Sequence, residues 1–417
     1  MRFHRDPITV AEAQQRILAH ITQGDIEKIP LFESEGRRLA EAIIATSDVP
    51  HFSKSPYDGF AVRSADTTGA SIHNPIELEV IGAIACGDAP DFCVEVGQAA
   101  RIMTGAAIPQ GADCVIMFEM TSENEARVDR IVGIKKEMKP GENIVFQGEE
   151  TKTGTRLIEV GTRIGPGEMA ILATFGYAHV PVYRLPRVGI LATGSELLRP
   201  EDELTYGKIR NSNSYMTASQ VRQAGGIPIL YGNLEDDSDL AVAKVQQILS
   251  ETDFLITSGG VSVGDFDVMV DVFTRLDADL LFNKIKMRPG SVTSTARVGQ
   301  QFIFGLSGNP GACFVGFELF VRPALHALQG KSQTALPEMQ AKLGIDMKKP
   351  SPFTRYVRSS WTIEQGEIVV RPVGMDKSGV VTNITDANCL MCIPAGGAGA
   401  AAGDLVTILP LPYRAGE

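Results

Sequence analysis

Histidine and cysteine are both scarce in this chain, with six of each among 417 residues. The histidines form no H-E-x-x-H pattern and no readable Ser/His/Asp set, which argues against hydrolysis by a histidine base. Cys86, Cys93, Cys114, Cys313, Cys389 and Cys392 are scattered through apolar neighbourhoods. Cys389 and Cys392 are spaced as C-x-x-C, but no second pair or neighbouring histidine completes a zinc site. Buried strand cysteines in a reducing compartment describe them better. An excess of positive charge is also missing. The formal net charge of −11 argues against general nucleic-acid binding, so an anionic ligand has to be captured by a local pocket. No apolar run approaches the length of a membrane span. Met1 to Asp6 carries charge with no apolar segment behind it, so neither a signal peptide nor a membrane partner is expected, and the expected compartment is the cytoplasm.

What remains is an ordinary globular composition, 44% hydrophobic and 21% charged, long enough for two to four domains. Three glycine-rich turns dominate it: Thr193-Gly194-Ser195-Glu196, Ser258-Gly259-Gly260-Val261-Ser262-Val263-Gly264-Asp265 and Leu306-Ser307-Gly308-Asn309-Pro310-Gly311. Each follows an apolar run (residues 188–192, 254–257 and 302–306) and is expected to open a helix. In an open α/β sheet, ligands collect at the carboxyl ends of the strands. Glycine there lets the backbone approach a ligand, and a helix start offers free N–H groups to an anion. Three such turns favour a phosphate or oxyanion site over plain turn chemistry.

Around them the chain divides into segments. Thr9-Val10-Ala11-Glu12 is a capping box for a helix to about Ile21, and a second helical pattern covers residues 33–45. Short β-type runs fill residues 48–148. Residues 166–176, with proline first and glycine last, read as a helix. An α/β pattern spans residues 187–328, with helices near 214–224, 238–250, 267–276 and 311–328. The tail beyond Lys331 returns to strands, interrupted by a small-residue loop at 394–400. The expected architecture is an α/β multidomain protein with a helical N-terminal part, a β-rich domain and a C-terminal β domain.

Charged residues near the turns supply candidate chemistry. Asp265 and Asp267 flank Phe266, where one carboxylate suits a helix cap and the other suits Mg²⁺ beside a phosphate cradle. Asp236 and Asp237 either face the same crevice or cap the helix at 238. Lys284 and Arg288, spaced evenly on a strand before Pro289-Gly290, point the same way, toward solvent or toward one anion. In the β-rich segment, Ser55-Pro56-Tyr57-Asp58-Gly59-Phe60-Ala61 sets an acid in a turn, and Arg101-Ile102-Met103-Thr104-Gly105-Ala106 ends in a hydroxyl and a glycine. Residues alone reach a magnesium-assisted phosphate-ester enzyme.

These motifs, with Pro109-Gln110-Gly111-Ala112-Asp113, Gly141-Glu142-Asn143-Ile144 and Gly308-Asn309-Pro310, resemble the MoeA family of molybdopterin molybdenumtransferases, which is related to the E domain of gephyrin. The resemblance spans residues 9–408. It implies a MoaB/MogA-like α/β sandwich domain at 183–330, an inserted β-rich domain at 48–148, a composite N-terminal domain from 1–47 and 149–182, and a C-terminal β-barrel-like domain at 331–417. It implies insertion of molybdate into adenylylated molybdopterin, with Mg²⁺ and release of AMP. The family's catalytic positions fall on Asp58, Thr104, Glu196, Asp267, Lys284 and Arg288. Binding positions fall on Ser258, Gly259, Gly260, Ser262, Gly264, Asp236, Ser307, Gly308, Asn309, Pro310, Arg358 and Ser378, with Asp267 and Asp236 as metal ligands. A homodimer with its site at the subunit interface is implied, as is a protein that donates the adenylate.

The chain departs from the family pattern in places. Pro56-Tyr57 stands where many members have Ala-Met. Arg288-Pro289-Gly290-Ser291 replaces a motif with two lysines, leaving one cation that can still grip an oxyanion bidentately. Val145 and Glu150 also differ. Two other readings compete: a gephyrin-like scaffold, and a molybdopterin adenylyltransferase, which would need only the α/β domain.

Overall fold

The computed structural model describes residues 6–123, 130–234, 238–259 and 268–412. It divides into two compact units, one of Met1–Glu41, Val160–Ile164 and His179–Glu417, the other of Ala42–Glu159 and Gly165–Ala178.

The larger unit is built around a six-stranded sheet in the order Ile227–Leu234, Arg187–Thr193, Phe254–Ser258, Gln301–Leu306, Ser294–Val298, Asp279–Phe282. The first four strands are parallel and the last two antiparallel. Side chains alternate between faces. Val188, Ile190, Phe254, Ile256, Phe302 and Phe304 pack with helix Asn213–Gln223 and the helix from Pro310. Leu191, Leu255 and Ile303 pack with helix Ser238–Glu251 and helix Val268–Arg275. Three layers follow from that alternation.

The helix Pro310–Leu328 has 19 residues and a mean hydropathy of 1.2, enough by length and composition to cross a membrane, but 83% of it is buried. Glu318 and Arg322 interrupt its apolar run. They lie one turn apart, fully buried, and pair at 2.5 Å. Gln220 adds a hydrogen bond to Glu318 at 2.8 Å. It is a core helix, with a π-helical stretch at Phe317–Val321.

After it, five strands close into a barrel. Thr354–Glu364 pairs with both Glu367–Pro372 and Cys389–Ile393, and Met339–Leu343 and Leu405–Pro410 complete the circuit. Cys389 and Cys392 sit on a barrel strand, and burial pushes both thiols up to about 12. Cys86 and Cys93, by contrast, are exposed. The smaller unit carries a second six-stranded sheet, Cys114–Met117, Gly59–Val62, Gln98–Ile102, Ile76–Ile84, Ile131–Ile134, Thr121–Glu123.

Two expectations fail. The first helix is Val10–Leu18, capped by Thr9, but residues 33–45 form no α-helix. Arg38 bridges Arg163, Leu39 bridges Val182, and Ile43–Ile44 is a strand on Arg156–Ile158. Backbone pairing with distant segments overrides the local pattern. The first glycine turn does not open a helix either. It leads into Leu197–Leu198, paired with Ile209–Arg210, and only then does helix Asn213–Gln223 begin.

Candidate active site

The strand order reverses direction between Arg187–Thr193 and Phe254–Ser258. From the first of these the chain crosses to Ile227–Leu234 on one side, then returns to Phe254–Ser258 on the other. The crevice at the carboxyl ends of such strands is the usual binding place in this architecture. Here it is lined by the first two glycine turns in contact. Thr193 Oγ1 donates to the Ser258 carbonyl at 3.3 Å. Gly259 has φ +88°, and a Cβ there would come 2.6 Å from the Thr193 carbonyl oxygen. Gly259 also donates its N–H to Leu306 at 3.1 Å, and a Cβ on Gly308 would lie 3.5 Å from the Gly259 Cα. Among the described residues, Thr193, Gly259 and Gly308 therefore pack against one another. Ser307 is buried while Gly308 and Asn309 face solvent. Glu196 is exposed in the first turn.

The start of the long helix is not a free anion site. Pro310 has no N–H, Gly311 donates to the Ser378 carbonyl at 2.8 Å, and Ala312 donates to Asn309 at 3.0 Å. The expectation that this helix start presents unused donors is thus corrected. The exposed residues of this turn are Gly308 and Asn309. Ser378 enters through its main chain, and Arg358 enters as a buried clamp. Its guanidinium donates to Asn383 Oδ1 at 3.0 Å and to the Lys377 carbonyl at 2.9 Å. A Cβ on Gly311 would lie 1.6 Å from Arg358 Nη1. Burial pushes the Arg358 guanidinium below its ordinary value, with Asp376 acting the other way. The barrel loop is thereby fixed on the end of the third glycine turn.

Arg288 occupies the short strand Met287–Arg288, beside Arg355 of the barrel. Ile285 and Met287 are buried while Lys286 and Arg288 are exposed, the alternation of a strand. Arg288 forms no ion pair among the described residues. The following turn approaches the helix start, because a Cβ on Gly290 would lie 3.4 Å from the Ala312 carbonyl oxygen. Lys284 is half-buried, and its carbonyl accepts from Ile8 at 3.1 Å.

In the smaller unit, Asp58 and Thr104 meet directly. One Asp58 oxygen accepts the Thr104 N–H at 2.7 Å and its hydroxyl at 2.9 Å. Those two bonds, with a smaller contribution from Arg101, hold the exposed Asp58 carboxyl below the usual range. The two loops are locked by Ser55, which donates its N–H to Ala106 and accepts from Gly105. A Cβ on Gly59 would lie 2.0 Å from the Ile116 carbonyl oxygen, so the start of this strand needs glycine.

Gly260, Ser262, Gly264, Asp265, Asp267, Asp236 and Asp237 lie outside the described residues. Among the described residues no group of three His, Cys, Asp or Glu side chains could hold a metal. Mg²⁺ commonly uses one or two carboxylates plus ligand oxygens, and such a site would rest here on Asp236 and Asp267. Sequence reasoning missed Asn213. It is buried and donates to the Gly308 carbonyl at 2.9 Å, with its Oδ1 lacking a partner among the described residues. The polar run Asn211-Ser212-Asn213-Ser214 ahead of a helix was the available signal.

At the level of class, this is a multidomain α/β enzyme built around a MoaB/MogA-like binding domain. Family models match residues 8–176 (MoeA N-terminal region, domains I and II), 189–327 (probable molybdopterin binding domain) and 340–411 (MoeA C-terminal region, domain IV). A molybdopterin molybdenumtransferase of Bacillus subtilis is 46% identical over 97% of this chain and 94% of its own length. One from Staphylococcus aureus is 46% identical over 99% of this chain and 98% of its own. A molybdopterin biosynthesis MoeA protein of Pyrococcus horikoshii superposes with a TM-score of 0.79 at 32% identity, covering 97% of this chain and all of the other. The chain belongs to the MoeA family, an enzyme family of molybdenum cofactor biosynthesis.

Proposed function

We propose that this chain inserts molybdate into adenylylated molybdopterin with Mg²⁺-dependent release of AMP. The observation that carries the reading is the packing of Thr193, Gly259 and Gly308 against one another at the sheet's switch point, with Arg288 exposed and without an ion pair among the described residues. Backbone approaches of this kind suit a phosphate-bearing pterin and a tetrahedral oxyanion. Asp236 and Asp267 would hold Mg²⁺, which would supply charge neutralisation on the phosphates. Asp58, held as a carboxylate by two Thr104 hydrogen bonds, accepts hydrogen bonds from substrate donors and so orients them. The protein acts in the cytoplasm as a homodimer whose sites draw on both chains, and it receives the adenylate from a donor protein.

The test is to incubate purified protein with adenylylated molybdopterin, Mg²⁺ and molybdate, and to measure AMP. Release that depends on both ions supports the reading; release without molybdate, or none, overturns it. Mixing Asp58→Ala with Asp267→Asn chains should restore part of the activity if each site uses two chains.

A further inference from the structure

Residues 36–40, 160–164 and 326–334 gather cations at the far end of the helix Pro310–Leu328, about 24 Å from its start at 1.5 Å per residue. Arg38 and Arg163 are bridged through their backbones. Arg38 donates to the Gly161 carbonyl at 2.8 Å. Gly161 in turn abuts Gly330, since a Cβ on it would lie 2.3 Å from the Gly330 carbonyl oxygen. The next residue, Lys331, reaches to within 3.4 Å of His326 Nδ1. That nitrogen also lies 3.0 Å from the Thr334 carbonyl. It can donate to the carbonyl or accept from the ammonium, not both.

Arg38 and Lys331 are half-buried, and the charges acting on them belong to other cations. Burial pushes both below their ordinary values, and like charges add to it, Arg163 on Arg38 and Arg38 with Arg322 on Lys331. Arg322 is neutralised by Glu318. Among the described residues no carboxylate pairs with Arg38, Arg163 or Lys331. The helix C-terminus offers about half a negative charge, well short of three cations. A partly buried charge without a counter-charge is costly, so an added anion stabilises Arg38 and Lys331.

We propose that Arg38, Arg163 and Lys331 form a second anion site, for a tetrahedral oxyanion of the phosphate class. Two guanidinium forks and an ammonium match its oxygens.

The experiment follows thermal unfolding of the full chain in sodium phosphate, in a simple phosphate monoester and in sodium chloride at matched ionic strength. Phosphate should raise the midpoint beyond chloride. Lys331→Met and Arg38→Gln should each weaken the apparent phosphate affinity about tenfold, and the exposed Arg163→Gln should weaken it without disturbing packing. Arg288→Ala should retain the response, which separates this site from the crevice. Whichever of phosphate and monoester binds tighter identifies the source. No phosphate-specific rise in the unaltered protein, or a rise unchanged in Lys331→Met and Arg163→Gln, overturns the proposal.

Discussion

Thr104 donates twice to one oxygen of Asp58, through its N–H at 2.7 Å and its hydroxyl at 2.9 Å. Both bonds favour the charged carboxyl, so its pKa lies below the ordinary value. A depressed carboxyl contributes stability above its unfolded pKa of about 3.9, and that contribution is lost as the pH falls through the lower folded value. Thr104→Ala removes the hydroxyl and keeps the N–H. The Asp58 pKa should rise part of the way back, read by carbon-13 titration of the carboxyl, and the acid limb of the activity profile should move up with it. An unmoved titration would show that the backbone bond alone sets the carboxyl.

Arg288 and Arg358 should separate cleanly by mutation. Arg288 is exposed, so Arg288→Ala should change stability by less than about 0.5 kcal/mol. It should nonetheless weaken the molybdate dependence of AMP release by more than about threefold, since a charged contact is worth roughly 1.5–3 kcal/mol. Ser291→Lys should recover part of that loss. Arg358 is 4% exposed and holds Asn383 and Lys377. Arg358→Ala should cost about 2 kcal/mol or more in urea unfolding, by leaving buried acceptors unpaired. Equal stability losses for the two variants would contradict the assignment.

Gly311→Ala tests the same clamp from the other side. The new methyl would meet the Arg358 guanidinium at 1.6 Å, so the side chain must leave its partners. The expected cost is roughly 1–3 kcal/mol, in the range of overpacked sites. Combined with Arg358→Ala, the two losses should fall well short of additive. Full additivity would place the glycine's role elsewhere.

The α/β core was readable because its strands are short apolar runs ended by glycine and its helices carry long apolar faces. Arg187–Thr193, Phe254–Ser258 and Gln301–Leu306 came within a residue or two of expectation. Residues 33–45 mimic a helix in sequence because Leu39, Ala40 and Ile43 are buried at helix-like spacing. Their real partners, Val182 and Ile158, are more than a hundred residues away. Site residues were legible as types but not always as roles. Ser378 contributes a carbonyl, which no side-chain pattern encodes. Asn213 matters through one bond to Gly308 across 95 residues. The Asp58–Thr104 contact follows from the pairing of Gly59 with Ile102 in the sheet, a register that the separate motifs did not reveal.

The buried pair Glu318–Arg322 should be sensitive to removal of one partner and tolerant of removal of both. Both side chains are essentially inaccessible and bonded at 2.5 Å. Glu318→Gln leaves the guanidinium without its counter-charge and should cost about 3–5 kcal/mol. Replacing both, as Glu318→Leu with Arg322→Met, should cost much less, because no charge then remains in the core. Urea unfolding of the two variants checks the order. A double variant weaker than Glu318→Gln would show that the pair is needed for the geometry of the π-helical stretch.

His326 should make the fold sensitive to mild acid. Burial, with Lys331 adding to it, pushes its imidazole down to about 3, while in the unfolded chain it sits at about 6.5. Above that pH neither state binds the proton, and His326 contributes no slope. Between about 6.5 and 3 the unfolded state binds it and the folded state does not. Stability therefore falls as the pH drops, by at most about 1.4 kcal/mol per pH unit from this group. The depressed carboxyls, Asp58 with Glu142, Glu251 and Glu364, act mainly below about 4.5, so the difference between variant and unaltered chain from about pH 6.5 to 5 reports the histidine. His326→Gln can still donate to the Thr334 carbonyl and carries no proton to titrate. Urea unfolding at pH 7.5, 6, 5 and 4.5 should show a shallower decline for the variant than for the unaltered chain. Identical declines would mean that His326 takes up its proton in the folded state, with Lys331 or Arg38 moving away to admit it.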